Sequence, residues 1–198
     1  MGMVNRMKEI LAATNNGHKL EELRAVLAPR GVSVVSLRDR GIEIVPDETG
    51  VTFEENALIK ARAIRKAAGG CAVLADDSGL CVDALDGAPG VVSAVYAGDD
   101  ASDEENTAKL LREMEGMENR RGRFVCVLAY IDENGEEKLF RGECEGEILR
   151  EMSGGKGFGY DPVFRPVGSD VTFAEMSEEA KNGMSHRGMA LRQLAVSS

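Results

Sequence analysis

Cysteine is scarce and dispersed in this chain: Cys71, Cys81, Cys126 and Cys144 show no Cys-x-x-Cys spacing and no metal-type clustering. Each lies in or beside an apolar strand-like run, so all four are read as reduced core residues of a cytoplasmic protein. Cations are also in short supply, with 24 Lys plus Arg against 34 Asp plus Glu and a formal charge of −10. Such an excess repels nucleic-acid polymers, whose binding rests on a basic face, but leaves room for a mononucleotide held by a few placed cations. Long hydrophobic runs are missing too. The N-terminal apolar stretch from Ile10 to Ala13 is too short for a signal peptide or a membrane span, so no membrane partner is expected. Met1, Gly2 and Met3 ahead of Met7 are read as alternative starts or appended residues. Repeats, low-complexity tracts and linkers are absent, and 198 residues suit one large domain spanning 1–198.

What is present alternates between strand and helix signals. Glu9 to Thr14 reads as a strand, Asn15 to His18 as a polar loop, and Lys19 to Ala28 as a helix with Leu20, Leu23, Val26 and Leu27 on one face. Val32 to Leu37 is a second strand. Thr52 and Glu55 form a capping box that opens a helix running through Ala67, and Ser102 with Glu105 opens another reaching about Glu115. The run Cys71 to Ala75 predicts a buried strand ending in Asp76-Asp77 and a Ser78-Gly79 turn, followed by Leu80 to Val82. Gly87 to Gly98 is broken by Gly and Pro. Phe124 to Ile131 and Glu137 to Leu149 read as strands joined at Glu133-Asn134-Gly135, since Asn-Gly is a strong hairpin signal. Short helices start near Ser177 and Ser185. This mixture predicts an α/β fold with a mixed twisted β-sheet and flanking helices.

Five segments carry chemistry. Thr14-Asn15-Asn16-Gly17-His18-Lys19, between strand and helix, reads either as an ordinary turn or as an anion cradle with backbone N–H groups, helix dipole and Lys19. Strand ends in α/β proteins are where ligands bind, and side chains alternate along a strand, so Asp76 and Asp77 should face opposite ways. One acid would then meet the site and the other brace the loop. Glu48 reads as a solvated loop residue or as an oxygen ligand. Mg²⁺ needs only one or two carboxylates beside substrate phosphates, which Glu48 with Asp77 would supply. Phe158-Gly159-Tyr160-Asp161 offers aromatics for stacking a base, or a loop whose rings cap the core. Ser185-His186-Arg187 joins a plain helix cap to a possible receptor for an anion or carbonyl.

Taken in order, these segments resemble the inosine triphosphate pyrophosphatase family, the house-cleaning purine nucleoside triphosphate pyrophosphatases. The resemblance rests on Thr14-x-Asn16-x-x-Lys19, Glu48-Thr49-Gly50, Thr52-Phe53-x-Glu55-Asn56-Ala57, Lys60-Ala61 and Asp76-Asp77-Ser78-Gly79-Leu80. It continues through Gly87-Ala88-Pro89-Gly90, Ser93-Ala94, Gly157 to Pro162 and Ser185-His186-Arg187. It implies an elongated fold with a central cleft, either one domain or two lobes around that cleft. It also implies a homodimer that uses Mg²⁺ to split ITP, dITP and XTP into monophosphate and pyrophosphate, keeping them out of DNA and RNA. Carried onto this chain, Asp77 becomes the proton acceptor and, with Glu48, a metal ligand. Thr14, Asn15, Asn16, Gly17, His18, Lys19 and Ser78 would hold phosphates and sugar. Phe158, Gly159, Tyr160, Asp161, Lys181, His186 and Arg187 would hold the nucleotide, mainly its base.

Elementary chemistry agrees with that implication. Cleavage between the α- and β-phosphates needs a water, a base and positive charge on the leaving pyrophosphate, which Lys19 and Lys60 could provide. A 6-oxo purine presents an acceptor to His186, Arg187 or backbone N–H groups, whereas adenine presents a donor and leaves them unpaired, at about 1–3 kcal/mol each. The rival readings are a pyrophosphatase for modified pyrimidine or methylated nucleotides, a nucleotide sensor without catalysis, and a nucleic-acid-binding module, the last opposed by the acidic balance.

Overall fold

The computed structural model describes residues 8–196; the proposed alternative starts at Met1 to Met3 and Met7 lie outside them. Six strands form one mixed sheet, in the order β2-β1-β3-β4-β5-β6. β1 (Lys8–Ala12) pairs in parallel with β2 (Val32–Ser36) and with β3 (Val73–Val82), through Leu11 opposite Val73 and Ala12 opposite Leu74. β4 (Arg121–Ile131) and β5 (Glu137–Ile148) are neighbours joined by a turn, and β6 (Phe164–Pro166) runs antiparallel to β5. The helices are α1 (Gly17–Leu27), α2 (Phe53–Ala67), α3 (Asp103–Glu113), α4 (Glu178–Met184) and α5 (His186–Val196). The α/β class and the mixed sheet are as expected.

Local chemistry explains most of these boundaries. In both expected capping boxes the cap hydroxyl accepts the N3 amide and the N3 glutamate returns the bond to the cap amide: Thr52 with Glu55 for α2, Ser102 with Glu105 for α3. Along α2, Phe53, Ala57, Ala61 and Ile64 repeat at helical spacing and are all buried. At the β4–β5 turn Asp132 Oδ1 accepts the amides of Asn134 and Glu136, each at 2.8 Å, and Gly135 takes φ +90°.

Two expectations need correction. α1 starts at Gly17 rather than Lys19, because Asn16 Oδ1 accepts the Lys19 amide at 3.1 Å and acts as N-cap, so His18 lies in the helix. The strand expected to stop at Ala75 continues to Val82, so Asp76-Asp77-Ser78-Gly79 is mid-strand and forms no turn. β1 pairs only with Val73 and Leu74, so beyond them it is the place of β3 beside β4 in the sheet that overrides the poor β-propensity of Asp, Ser and Gly. β6, only three residues long, was not expected at all.

The described residues divide into two compact units, one made of residues 8–76, 127–140 and 191–196, the other of 77–126 and 141–190. Unit one buries Ile10, Leu11, Leu23, Leu27, Ala57, Ala61 and Ile64. Unit two has a core built on Leu80, Val82, Leu110, Phe124, Cys144, Val163, Phe164 and Phe173. Among the described residues no helix is long and apolar enough to cross a membrane.

Candidate active site

In unit one, the loop after β1 is shaped by its own side chains. Thr14 Oγ1 accepts the Asn16 amide at 3.1 Å and Asn16 then caps α1, while Asn15, Asn16, Gly17 and His18 stay exposed. Two ammonium groups meet on Asp76. Lys19 Nζ lies 3.1 Å from Asp76 Oδ2, and Lys60 Nζ donates to the Asp76 carbonyl at 3.0 Å. Lys60 Nζ also pairs with Glu48 Oε1 at 3.0 Å. Asp76 is thus held by lysine, the bracing role expected of one of the two acids.

Glu48 owes its place to Gly50. The Gly50 amide donates to Asn56 Oδ1 at 2.8 Å, and a Cβ there would lie 2.6 Å from Glu55 Cβ. Only glycine lets this loop sit against the start of α2.

In unit two, β3 carries Asp77 and Ser78. Ser78 Oγ receives a hydrogen bond from Arg187 Nη2 at 3.0 Å, and Arg187, near the start of α5, is only 1% exposed. The same guanidinium lies 5.9 Å from the centre of the Phe158 ring, and Lys181 Nζ lies 4.6 Å from it, both within cation–π range. Lys181 pairs with Asp161 Oδ2 at 2.7 Å, and both are buried. That carboxylate oxygen also accepts the Phe158 amide at 3.0 Å. Gly157, at φ +78°, is obligatory here, since a Cβ would overlap the Asp161 carboxylate.

Tyr160 points inward. Its hydroxyl donates to the Ser93 carbonyl at 2.8 Å, and burial pushes its pKa well above the ordinary phenol range. The His186 ring stacks nearly flat on Phe124, with centroids 4.8 Å apart and an interplanar angle of 11°. Ser185 serves the cap reading, its Oγ accepting the Gly188 amide at 3.1 Å.

Unit one therefore brings Lys19, Lys60, Glu48 and Asp76 together. Unit two brings Ser78, Phe158, Asp161, Lys181 and Arg187 together. Sequence reasoning missed the lysine partners of Asp76, the Phe124 floor beneath His186, and Asp103, which accepts the Gly159 amide at 2.6 Å. The capping box at Ser102 was a usable signal for where Asp103 lies; for Phe124 no local signal existed.

Among the described residues no group of three or more His, Cys, Asp or Glu side chains gathers as a ready-made metal cage. Asp77, in unit two, and Glu48, in unit one, each carry hard carboxylate oxygens, the donor type that Mg²⁺ accepts; in donor chemistry each taken by itself suits that ion.

The profile of the Ham1 family matches residues 10–197. A dITP/XTP pyrophosphatase of Bacillus licheniformis is 50% identical over 192 residues, covering 96% of this chain and 97% of the relative. The Bacillus subtilis protein of that name is 46% identical over 191 residues, covering 96% of each chain. Among solved structures, the Staphylococcus aureus Ham1 protein aligns with a TM-score of 0.86 at 41% identity, covering 96% of this chain and 97% of that one. A HAM1 protein from Coxiella burnetii aligns with 0.87 at 42% identity, covering 96% and 98%.

Proposed function

The chain belongs to the Ham1 family, and on that premise we propose that it hydrolyses the aberrant purine nucleotides ITP, dITP and XTP to monophosphate and pyrophosphate. The observation that carries this reading is the reach of Arg187, which ties the strand bearing Asp77 and Ser78 to the Phe158 ring. One buried cation thus joins the carboxylate strand to a surface suited to stacking a base. Relatives named dITP/XTP pyrophosphatase, 43–50% identical over nearly their whole length, support the substrate class.

In this reading the 14–18 segment, exposed from Asn15 to His18, and the Lys19 ammonium receive the triphosphate, with the α1 dipole adding to the attraction. Ser78 Oγ and Lys60 are further polar contacts for phosphate or sugar. Asp77 accepts at its carboxylate the proton of the water that attacks the α-phosphorus, and the bond to the β-phosphate oxygen breaks. Glu48 and Asp77 would hold Mg²⁺, which supplies neutralisation of phosphate charge when bound. Lys19 steadies the charge building on the departing pyrophosphate. Phe158 stacks the base, while His186 and Arg187 offer donors to a 6-oxo group.

Preference then follows from hydrogen-bond matching: an adenine amino group facing those donors would leave them unsatisfied, at roughly 1–3 kcal/mol per group. We take the enzyme to be a cytoplasmic homodimer that clears such nucleotides from the pool used for DNA and RNA; its four free cysteines support the reducing compartment.

A panel of ITP, dITP, XTP, GTP, ATP and modified pyrimidine triphosphates, assayed with and without Mg²⁺, tests the reading. The expected result is pyrophosphate and monophosphate from the first three in Mg²⁺. Orthophosphate and a diphosphate from ITP, or turnover confined to pyrimidines, would overturn it. Sedimentation at micromolar concentration checks the dimer.

A further inference from the structure

We infer that α3 anchors the Phe158 loop through Gly159, making Asp103 and Thr107 positioning residues for the nucleotide base; the inference rests on the function proposed above. Phe158 lies between two glycines in the left-handed region, Gly157 at φ +78° and Gly159 at φ +60°. Loops with such permissive joints on both sides hold one conformation only when their backbone groups are pinned from outside. α3 reaches both polar groups of Gly159, and holds the amide most firmly. Asp103 Oδ2 accepts its amide at 2.6 Å, and Thr107 Oγ1 approaches its carbonyl as donor at 3.4 Å.

Asp103 and Thr107 are four residues apart, and so share one face of α3. Neither is needed to start the helix, because Ser102 and Glu105 already complete the capping box. α3 is itself fixed by Asn106, which accepts the Ala97 amide at 2.7 Å and donates to the Ala94 carbonyl at 3.0 Å. The next loop residue, Tyr160, is tied to the adjoining carbonyl of Ser93. A rigid path therefore runs from α3 and residues 93–97 to the loop, while Phe158 keeps a half-buried ring. The bond from Asp103 is short and charge-assisted, the strong kind. Its acceptor sits on an exposed residue whose replacement leaves the core intact.

The test compares Asp103→Ala with Asp103→Asn. Asp103 also stabilises α3 by its charge near the helix N-terminus, and both substitutions remove that charge. Only Asp103→Ala removes the acceptor. For ITP, Asp103→Ala is expected to raise KM about tenfold, the scale of one charge-assisted hydrogen bond, with kcat changed less than about twofold. Asp103→Asn should restore KM largely, although it lacks the helix N-terminal charge just as Asp103→Ala does. An unchanged KM in Asp103→Ala, or a KM equal in the two variants, would overturn the anchor. Hydrogen–deuterium exchange over residues 157–160 provides a readout independent of turnover. Faster exchange in Asp103→Ala, restored in Asp103→Asn, upholds the anchor; identical rates in all three proteins reject it. If the unsubstituted chain releases no pyrophosphate from ITP, the proposed function fails, and the exchange rates still decide the anchor.

Discussion

Two consecutive aspartates in β3 have different work. Asp76 is buried and faces Lys19 Nζ at 3.1 Å, so its charge belongs to the architecture of unit one. Asp77 is the residue assigned to proton transfer. Asp77→Asn keeps size and polarity but removes the basic oxygen; turnover should fall by at least about a thousandfold, in line with loss of a general base. The circular dichroism spectrum and melting temperature should stay close to those of the parent. Near-normal rates of pyrophosphate release would remove Asp77 from the chemistry. Lys19→Met should act on both fold and function, because it strips a buried carboxylate of its ammonium while keeping the aliphatic stem. A loss of roughly 2 kcal/mol or more in urea unfolding is expected, and Lys19→Met with Asp76→Asn should recover part of it. No recovery in the double variant would show that the pair does not contribute.

At the scale of elements, close backbone approach decides where α5 can lie. Gly142 in β5 faces that helix so tightly that an added Cβ would collide with the His186 carbonyl and come within 2.7 Å of the Ala190 amide. Gly142→Ala must therefore push away the first turn of α5, which carries His186 and Arg187. The expected outcome is a destabilisation of about 1–3 kcal/mol, typical of overpacking. ITP turnover should be reduced beyond what the unfolded fraction explains, as checked by comparing melting curves with kinetics well below the transition. Unaltered stability would mean that β5 and α5 can separate freely. Gly146 makes a similar approach, its absent Cβ leaving 2.5 Å to the Arg165 carbonyl. Glycine in β5 is thus a packing requirement at both places, although isolated glycines in a strand read from sequence as weak points.

For the molecule as a whole, thiol chemistry is a simple probe. Cys81, Cys126 and Cys144 are buried and Cys71 is half-buried. Burial raises the Cys81 thiol and pushes Cys144 up to about 11. A disulfide reagent at pH 8 should modify one thiol rapidly, at Cys71, and the other three only after denaturation; rapid loss of all four would contradict the burial. Legibility from sequence followed the same division between local and distant causes. Capping boxes at Thr52 and Ser102 and the Asn134-Gly135 turn are settled by neighbouring residues, and they stand where the letters put them. Ser78, Phe158, Asp161, Lys181 and Arg187 could be singled out by residue type, and the structure brings them together in unit two. How they are held was not legible. The run of β3 through Asp-Asp-Ser-Gly, the Lys19 contact with Asp76, the stacking of His186 on Phe124 and the Asp103 bond to Gly159 depend on residues far away along the chain. Pattern reading has no access to such partners.

Arg187 has a kinetic corollary. A guanidinium cannot shed its proton to ease its way indoors, so the chain must enclose it as a charge. Its hydroxyl partner is 109 positions earlier, and a contact so distant along the chain repays its ordering entropy only once the intervening elements are in place. Docking of α5 should accordingly be among the final folding events, and a molecule caught short of it would have most of its sheet but no grip on a base. For this chain, reaching the native state and acquiring competence would be a single step.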